Sequence, residues 1–265
     1  MKKNKLTKAM LPLLLSASAV AGAQLATEAG IGGVDGNHNT SGSRALLWSQ
    51  LGATPRGNGA PDQNFEASFD VYDAVGADDF VVTGYGWSIE EIETIGTTAG
   101  VASSVNVSFH ADNAGSPNPT ALAGCSYSSI PVTDTSGSLS ITLPSACSII
   151  GAGTYWVAIQ VNQDFATDGQ HFWSNTDTVA GNEAHWMNPG DGFASGCTTF
   201  QPAGTVCGVG GGAPAFDFLY DLSGTQLDAP VAAAPVPSLN WLGVGLMVLT
   251  LGVFGRRFIK KADNA

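Results

Sequence analysis

Between Lys8 and Lys260 the chain has no lysine, and the only arginines before Arg256 are Arg44 and Arg56. Charge of either sign is scarce: 12% of the 265 residues are Asp, Glu, Lys or Arg, about half of the roughly 25% usual in globular chains. So low a charge beside 44% hydrophobic residues excludes disorder driven by charge, which needs the opposite composition. The missing basic residues exclude a nucleic-acid binder, because phosphates require a cationic face. Residues 24–255 hold 21 acidic residues against 2 basic ones, a net of −19. No repeat of fixed period, no Cys-x-x-Cys pair and no Gly-x-Ser-x-Gly motif occurs, which removes the usual zinc-site spacing and the hydrolase elbow. Gly192-Phe-Ala-Ser195-Gly196 has the wrong spacing, so Ser195 reads as a loop residue beside Cys197.

What the chain has in quantity is turn residues, 34 Gly and 13 Pro, between short alternating runs. Phe65, Ala67, Phe69 and Val71 alternate with polar neighbours, as do Val105, Val107 and Phe109, then Leu139, Ile141 and Leu143, then Phe216, Phe218 and Tyr220. A period of two places one set of side chains in a core and the other in solvent. Further strands are expected at Phe80–Val82, Trp87–Ile95, Thr154–Val161, His171–Ser174 and Glu183–Met187. The stretch Ile89 to Ile95 fits either a helical or a strand period. Many short strands with turn signals every 8–12 residues predict an all-β fold, a single disulfide-stabilised β-sandwich of jelly-roll type.

The basic residues missing from the body sit at the two ends. Lys2, Lys3, Lys5 and Lys8 precede a short apolar run, Ala9 to Val20, and then Ala21-Gly22-Ala23. This reads as a signal peptide over residues 1–23, cleaved after Ala23. The body, residues 24–228, is then extracytoplasmic, and residues 229–236 form a Pro/Ala-rich linker. Ser238 to Gly255 is uncharged and apolar and stops at Arg256, Arg257, Lys260 and Lys261. A run of about 18 residues is just long enough to span a bilayer as a helix, and the basic cluster would hold its end in the cytoplasm. Val236-Pro237-Ser238-Leu239, the nearby Trp241, the apolar run and the closing Arg256-Arg257 resemble IPTL-CTERM and PEP-CTERM sorting tails, over residues 237–265 and the preceding Val236. The motif has Val and Ser where that pattern more often has Ile and Thr, and Asn240 where Ser is usual. The resemblance implies a secreted protein of a Gram-negative bacterium, an exosortase-type sorting protease as partner, a transient membrane anchor, and a destination at the cell surface or outside it. Gln63-Asn-Phe-Glu66, Phe69-Asp70, Ala77-Asp78-Asp79-Phe80, Val105 to Gly115, Gly151 to Phe165 and Phe193 to Cys207 are similar to a recurring secreted bacterial β domain found with such tails. That likeness implies fold and location and brings no activity with it.

Export would place Cys125, Cys147, Cys197 and Cys207 in an oxidising compartment. Of three connectivities, Cys125–Cys147 with Cys197–Cys207 is favoured, because each bond would close a turn-rich loop. No catalytic residue is assigned: the Glu residues 66, 90, 91, 93 and 183 offer no evident pair, and Glu90, Glu91 and Glu93 read as a solvated strand face. No cofactor is required, although calcium would suit the acidic loops. Asp35-Gly-Asn37-His-Asn39 opens like an EF-hand but has Thr40 for the turn Gly and Leu46 for the bidentate Glu; Asp78-Asp79, Asp112-Asn113 and Asp164 with Asp168 are looser candidates. The primary expectation is a non-enzymatic surface or extracellular-matrix protein. The alternative is a module binding extracellular polysaccharide, or a weak glycoside hydrolase, with Trp173 and Trp186 as a stacking platform flanked by surface His171 and His185.

Overall fold

The computed structural model describes residues 44–231, and the chain there is almost entirely β-structure. The expected signal sequence with Ala21 and Ala23, the expected sorting motif at Val236, Pro237, Ser238 and Leu239 with Arg256 and Arg257, and the apolar run expected to form a helix lie outside the described residues. Among the described residues no helix is long and apolar enough to cross a membrane.

Strands β1 (Ala45–Ser49), β2 (Pro55–Pro61) and β3 (Gln63–Asn64) precede a 3₁₀ turn at Asp70–Tyr72. Then come β4 (Val75–Val82), β5 (Gly86–Thr94), β6 (Gly96–Thr97), β7 (Ser104–Asp112), β8 (Pro117–Thr135), β9 (Ser138–Ile150) and β10 (Gly153–Asn162). A one-turn helix α1 (Phe165–Asp168) leads to β11 (Phe172–Thr176), β12 (His185–Met187), β13 (Gln201–Pro202), β14 (Asp217–Phe218) and β15 (Tyr220–Leu227). The long curled sheet runs β1-β15-β5-β9-β8-β7-β10-β4-β12-β13, with β3 joining β10 in parallel. All its other pairings are antiparallel. A small sheet, β14-β11-β2 with β6 on β11, lies over it. One hydrophobic core joins the two, with Trp173 and Phe218 from the small sheet and Phe80, Ile89, Phe109 and Val157 from the long one.

Alternation works where one face meets that core. Val105, Val107 and Phe109 of β7 are buried, as are Leu139, Ile141 and Leu143 of β9. It fails on β10, where Trp156, Val157, Ala158 and Ile159 are all buried. Val157 and Ile159 enter the main core; Trp156 and Ala158 pack on the opposite face with Ala77, Val75 and Phe200. In β5 a bulge settles the ambiguous stretch. Ser223 pairs with Glu91 and Gly224 with Ile89, so Glu90 is an extra residue. Ile89 and Ile92, three apart, thereby reach the same core.

Two expected strands differ. Phe65 to Val71 is a turn leading into the 3₁₀ segment, not a strand, because pairing ends at Asn64 opposite Asn162. Asp217 faces no solvent: it is fully buried between Phe216 and Phe218, since β14, unlike the outer strand β2, is covered on both faces.

Both expected disulfides are present. Cys125–Cys147 does not close a turn-rich loop, however. It ties the middle of β8 to β9 across the long hairpin between them, a separation of 22 residues, with both cysteines in the core. Cys197–Cys207 spans 10 residues and closes the loop between β12 and β14 as expected.

Candidate functional site

Two clusters stand out, one buried and one open. Asp78 and Asp79 lie on β4 and Asp217 on β14, all buried. One oxygen of Asp78 accepts the Phe218 N–H at 2.6 Å and the other the Asp79 N–H at 2.8 Å. Asp217 Oδ2 accepts from the Ala180 N–H at 2.6 Å and Gln50 Nε2 at 3.0 Å, while its Oδ1 has no partner among the described residues. Asp79 accepts from the backbone and side chain of Asn182. Gly181 allows this approach: a Cβ there would sit 2.5 Å from Asp79 Oδ2, and its φ of +123° suits glycine. Burial, then the nearby carboxylates of Asp217 and Asp79, pushes Asp78 well above the usual range. Burial likewise raises Asp217, to about 7. Tyr220 donates its hydroxyl to the Asp79 carbonyl at 2.6 Å. Through the Phe218 N–H, Asp78 ties β4 of the long sheet to β14 of the small one, while Asp79 and Asp217 hold the loop from Ala180 to Asn182.

The second cluster is a cleft of about 250 Å³ lined by Phe65, Phe69, Tyr72, Phe165, Phe193 and Gln170. Four rings form a closed circuit: Phe65 to Phe165 at 6.1 Å, Phe165 to Phe69 at 5.5 Å, Phe69 to Tyr72 at 6.3 Å and Tyr72 to Phe65 at 6.3 Å. Neighbouring planes are tilted by 46° to 63°. The circuit opens to water, since Tyr72 is 36% and Phe165 43% exposed.

Polar side chains fix the backbone under each ring. Asp73 accepts the Phe65 N–H at 2.8 Å. Glu66 accepts the N–H groups of Phe165 at 2.7 Å and Ala166 at 3.2 Å. Partial desolvation pushes Glu66 up, but these bonds and its own N–H outweigh it, so its carboxyl lies below its ordinary value. Asn188 donates to the carbonyls of Val71 and Asp73, both at 2.8 Å, and accepts the Phe193 N–H at 3.1 Å, holding Tyr72 and Phe193 together. Gln170 presents a buried amide nitrogen without a partner among the described residues.

The expected stacking platform is corrected. Trp173 and Trp186 are buried, at 1% and 0% exposure, so neither can stack on a ligand. Trp173 stacks on Phe218 at 4.3 Å and donates its indole N–H to the Leu219 carbonyl. Trp186 donates to the Pro61 carbonyl, tying β12 to β2. His171 and His185 are buried rather than on the surface. His171 meets Asp62 Oδ1 at 2.6 Å and the Gly137 carbonyl at 2.8 Å. Two acceptors call for two N–H donors, which the imidazolium supplies; burial lowers its pKa, but the charge and hydrogen bond of Asp62 raise it more, for a net rise. His185 packs edge-on against Trp156 at 4.8 Å.

Among the described residues no three His, Cys, Asp or Glu side chains converge as metal ligands; the Asp35–Asn39 stretch lies outside the described residues. Asp112 accepts from the Trp156 indole at 2.9 Å, and Asp168 accepts from Thr167 at 2.7 Å. Glu90 and Glu91 lie together only through Arg44, at 3.1 and 3.3 Å; Glu183 binds the loop at Gly204 and Thr205. Ser195 lies in a loop, its hydroxyl accepting the Cys197 N–H at 3.1 Å. The aromatic circuit was missed because Phe65 and Phe69 alternate in sequence like a strand; the available signal was the density of rings from Phe65 to Tyr72, while Phe165 is brought to that turn only by the fold. No protein-family model, curated protein or solved structure matches the chain.

Proposed function

We propose that the chain is an exported, non-enzymatic surface or extracellular-matrix protein, delivered by its C-terminal tail, whose body folds as a jelly-roll-like sandwich. The observation that carries this reading is the partition of charge: four basic residues in the first eight, four in the last ten, and a body at −19 between them. A basic start before a short apolar run addresses a chain for export, and a basic end after a longer one stops transfer. Two disulfides with no free cysteine among the described residues support an oxidising destination. The small sheet lying over the curled sheet supports the sandwich reading.

In this reading the linker exposes Val236-Pro237-Ser238-Leu239 to a sorting protease just outside the bilayer. The mature chain then ends near Pro237 and leaves the apolar helix behind. Intact-mass measurement of the protein recovered from its native surface tests this. A C-terminus close to Pro237, and a longer membrane-bound form for Pro237→Ala, are expected; a C-terminus at Ala265 would reduce the tail to a plain anchor. Glu at positions 256 and 257 in place of Arg is expected to impair stop-transfer and processing together.

A further inference from the structure

We propose that the aromatic circuit of Phe65, Phe69, Tyr72 and Phe165 is a binding site for a small organic cation of the quaternary-ammonium class. Geometry comes first. Sides of 5.5 to 6.3 Å gather the four rings on the scale of the ~6 Å reach of a cation–π contact, so that one small cation can meet more than one of them. The rings surround a cleft that is open to solvent, so a ligand can enter without unfolding the turn.

Charge decides the class of occupant. Glu66 lies between Phe65 and Phe69 in sequence, Asp70 and Asp73 flank Tyr72, and Asp164 precedes Phe165. The Glu66 carboxylate is bonded to the backbone of Phe165 itself. Among the described residues no basic side chain competes. Arg44 is held by Glu90 and Glu91, and Arg56 by Asp177 with its guanidinium over Phe216. An anion would meet like charge at this rim, and a neutral apolar group would forgo the field that the rings and carboxylates supply together. A permanently charged, weakly hydrated ammonium answers both.

The site also faces a consistent way. Phe165 follows the end of β10 at Asn162, and that end of the sheet holds Ser104, Pro131 and Thr94. Leu227 ends β15 beside Gly86 and Ile150, at the opposite end. A ligand in the circuit is therefore remote from the point where the chain leaves the fold.

Calorimetric titration of the full chain with choline chloride tests the inference, with the neutral analogue bearing a tert-butyl group in place of trimethylammonium as the control. Choline is expected to bind, the neutral analogue at least about tenfold more weakly, and binding to weaken as salt screens the acidic rim. Phe165→Leu and Tyr72→Leu keep apolar bulk at partly exposed positions and are expected to weaken choline several-fold while leaving the melting temperature within a few degrees. Equal binding of the two ligands would overturn the inference in favour of a plain apolar pocket. So would no heat with choline, or a neutral disaccharide binding where choline does not. If the leucine variants melt early, the comparison of the two ligands on the unaltered chain still decides.

Discussion

A single buried pair shows how burial sets the behaviour of individual residues here. Asp62 and His171 are each 1% exposed and meet at 2.6 Å. The folded-state pKa of His171 is raised, so the pair's contribution to stability is complete below the unfolded value near 6.5 and is lost as pH climbs through the folded value. Asp62→Asn removes the charge that raises it most and leaves burial, which lowers it, against the weaker pull of the Gly137 carbonyl and Asp134. The fall of stability with rising pH near 6.5 is therefore expected to become shallower, with the loss of stability greatest at low pH, up to roughly 3–5 kcal/mol where the imidazolium is stranded; urea melts at pH 5.5 and 7.5 would show it, and an unchanged slope would refute it. Asp217 runs the other way from an ordinary carboxylate. Burial holds its folded value up at about 7, well above the ordinary carboxylate range, so the folded state binds the extra proton. Stability is fully present below about 4 and falls as pH rises towards 7. Asp217→Asn cannot ionise, so its melting temperature is expected to decline less between pH 5 and 7.5 than that of the unaltered chain. A parallel decline would mean that Asp217 is ionised throughout.

At the scale of elements, the hairpin of β8 and β9 depends on a covalent tie as well as on pairing. β8 is irregular: its register against β7 shifts three times, and only Val132 to Thr135 pair with β9. Cys125–Cys147 bridges the part of the hairpin where β8 pairs with β7 and β9 with β5. Loop-closure entropy for separations of 22 and 10 residues predicts about 3 kcal/mol from each bond. Replacing Cys125 and Cys147 by Ser is expected to lower unfolding free energy by that order, and non-reducing peptide mapping to recover only the two pairings; a Cys147–Cys197 peptide would contradict the strand order. The sequence was legible wherever a strand has one wet face, as in β7 and β9. It was illegible where both faces are covered, as for Asp217 and Trp156, because burial by a second layer leaves no polar alternation to read. The run from Phe65 to Val71 misled for a different reason: its rings are gathered by side-chain bonds from Asp73, Glu66 and Asn188, which no local period reports. The platform at Trp173 and Trp186 failed because large aromatics serve first to fill a core.

The whole molecule combines an acidic surface with an acidic interior, and the two respond oppositely to acid. The body's 21 acidic residues against 2 basic ones keep copies apart at neutral pH by mutual repulsion. Protonating exposed carboxylates removes that repulsion as pH falls; the full chain's isoelectric point is about 4.4, and the body, without the basic ends, has a lower one. Over the same range the raised groups Asp78, Asp79 and Asp217 gain the proton their sites favour, and His171 keeps its charge opposite Asp62. These groups make the fold more stable, not less, as pH falls from 7 towards 5. Glu66, whose value is lowered, opposes this only at still lower pH. Loss of solubility should therefore precede loss of structure. Residues 24–228 are expected to be monomeric at pH 7, and to scatter light strongly near pH 4 while keeping the near-ultraviolet circular dichroism of the packed Trp and Tyr rings. Salt should blunt the difference, since screening weakens repulsion at pH 7 before any carboxylate is protonated. Scattering that rises only once the aromatic signal collapses would show that unfolding drives association. Aggregation at pH 7 in low salt, with a clear solution at pH 4, would show that surface charge is not what keeps the molecules apart.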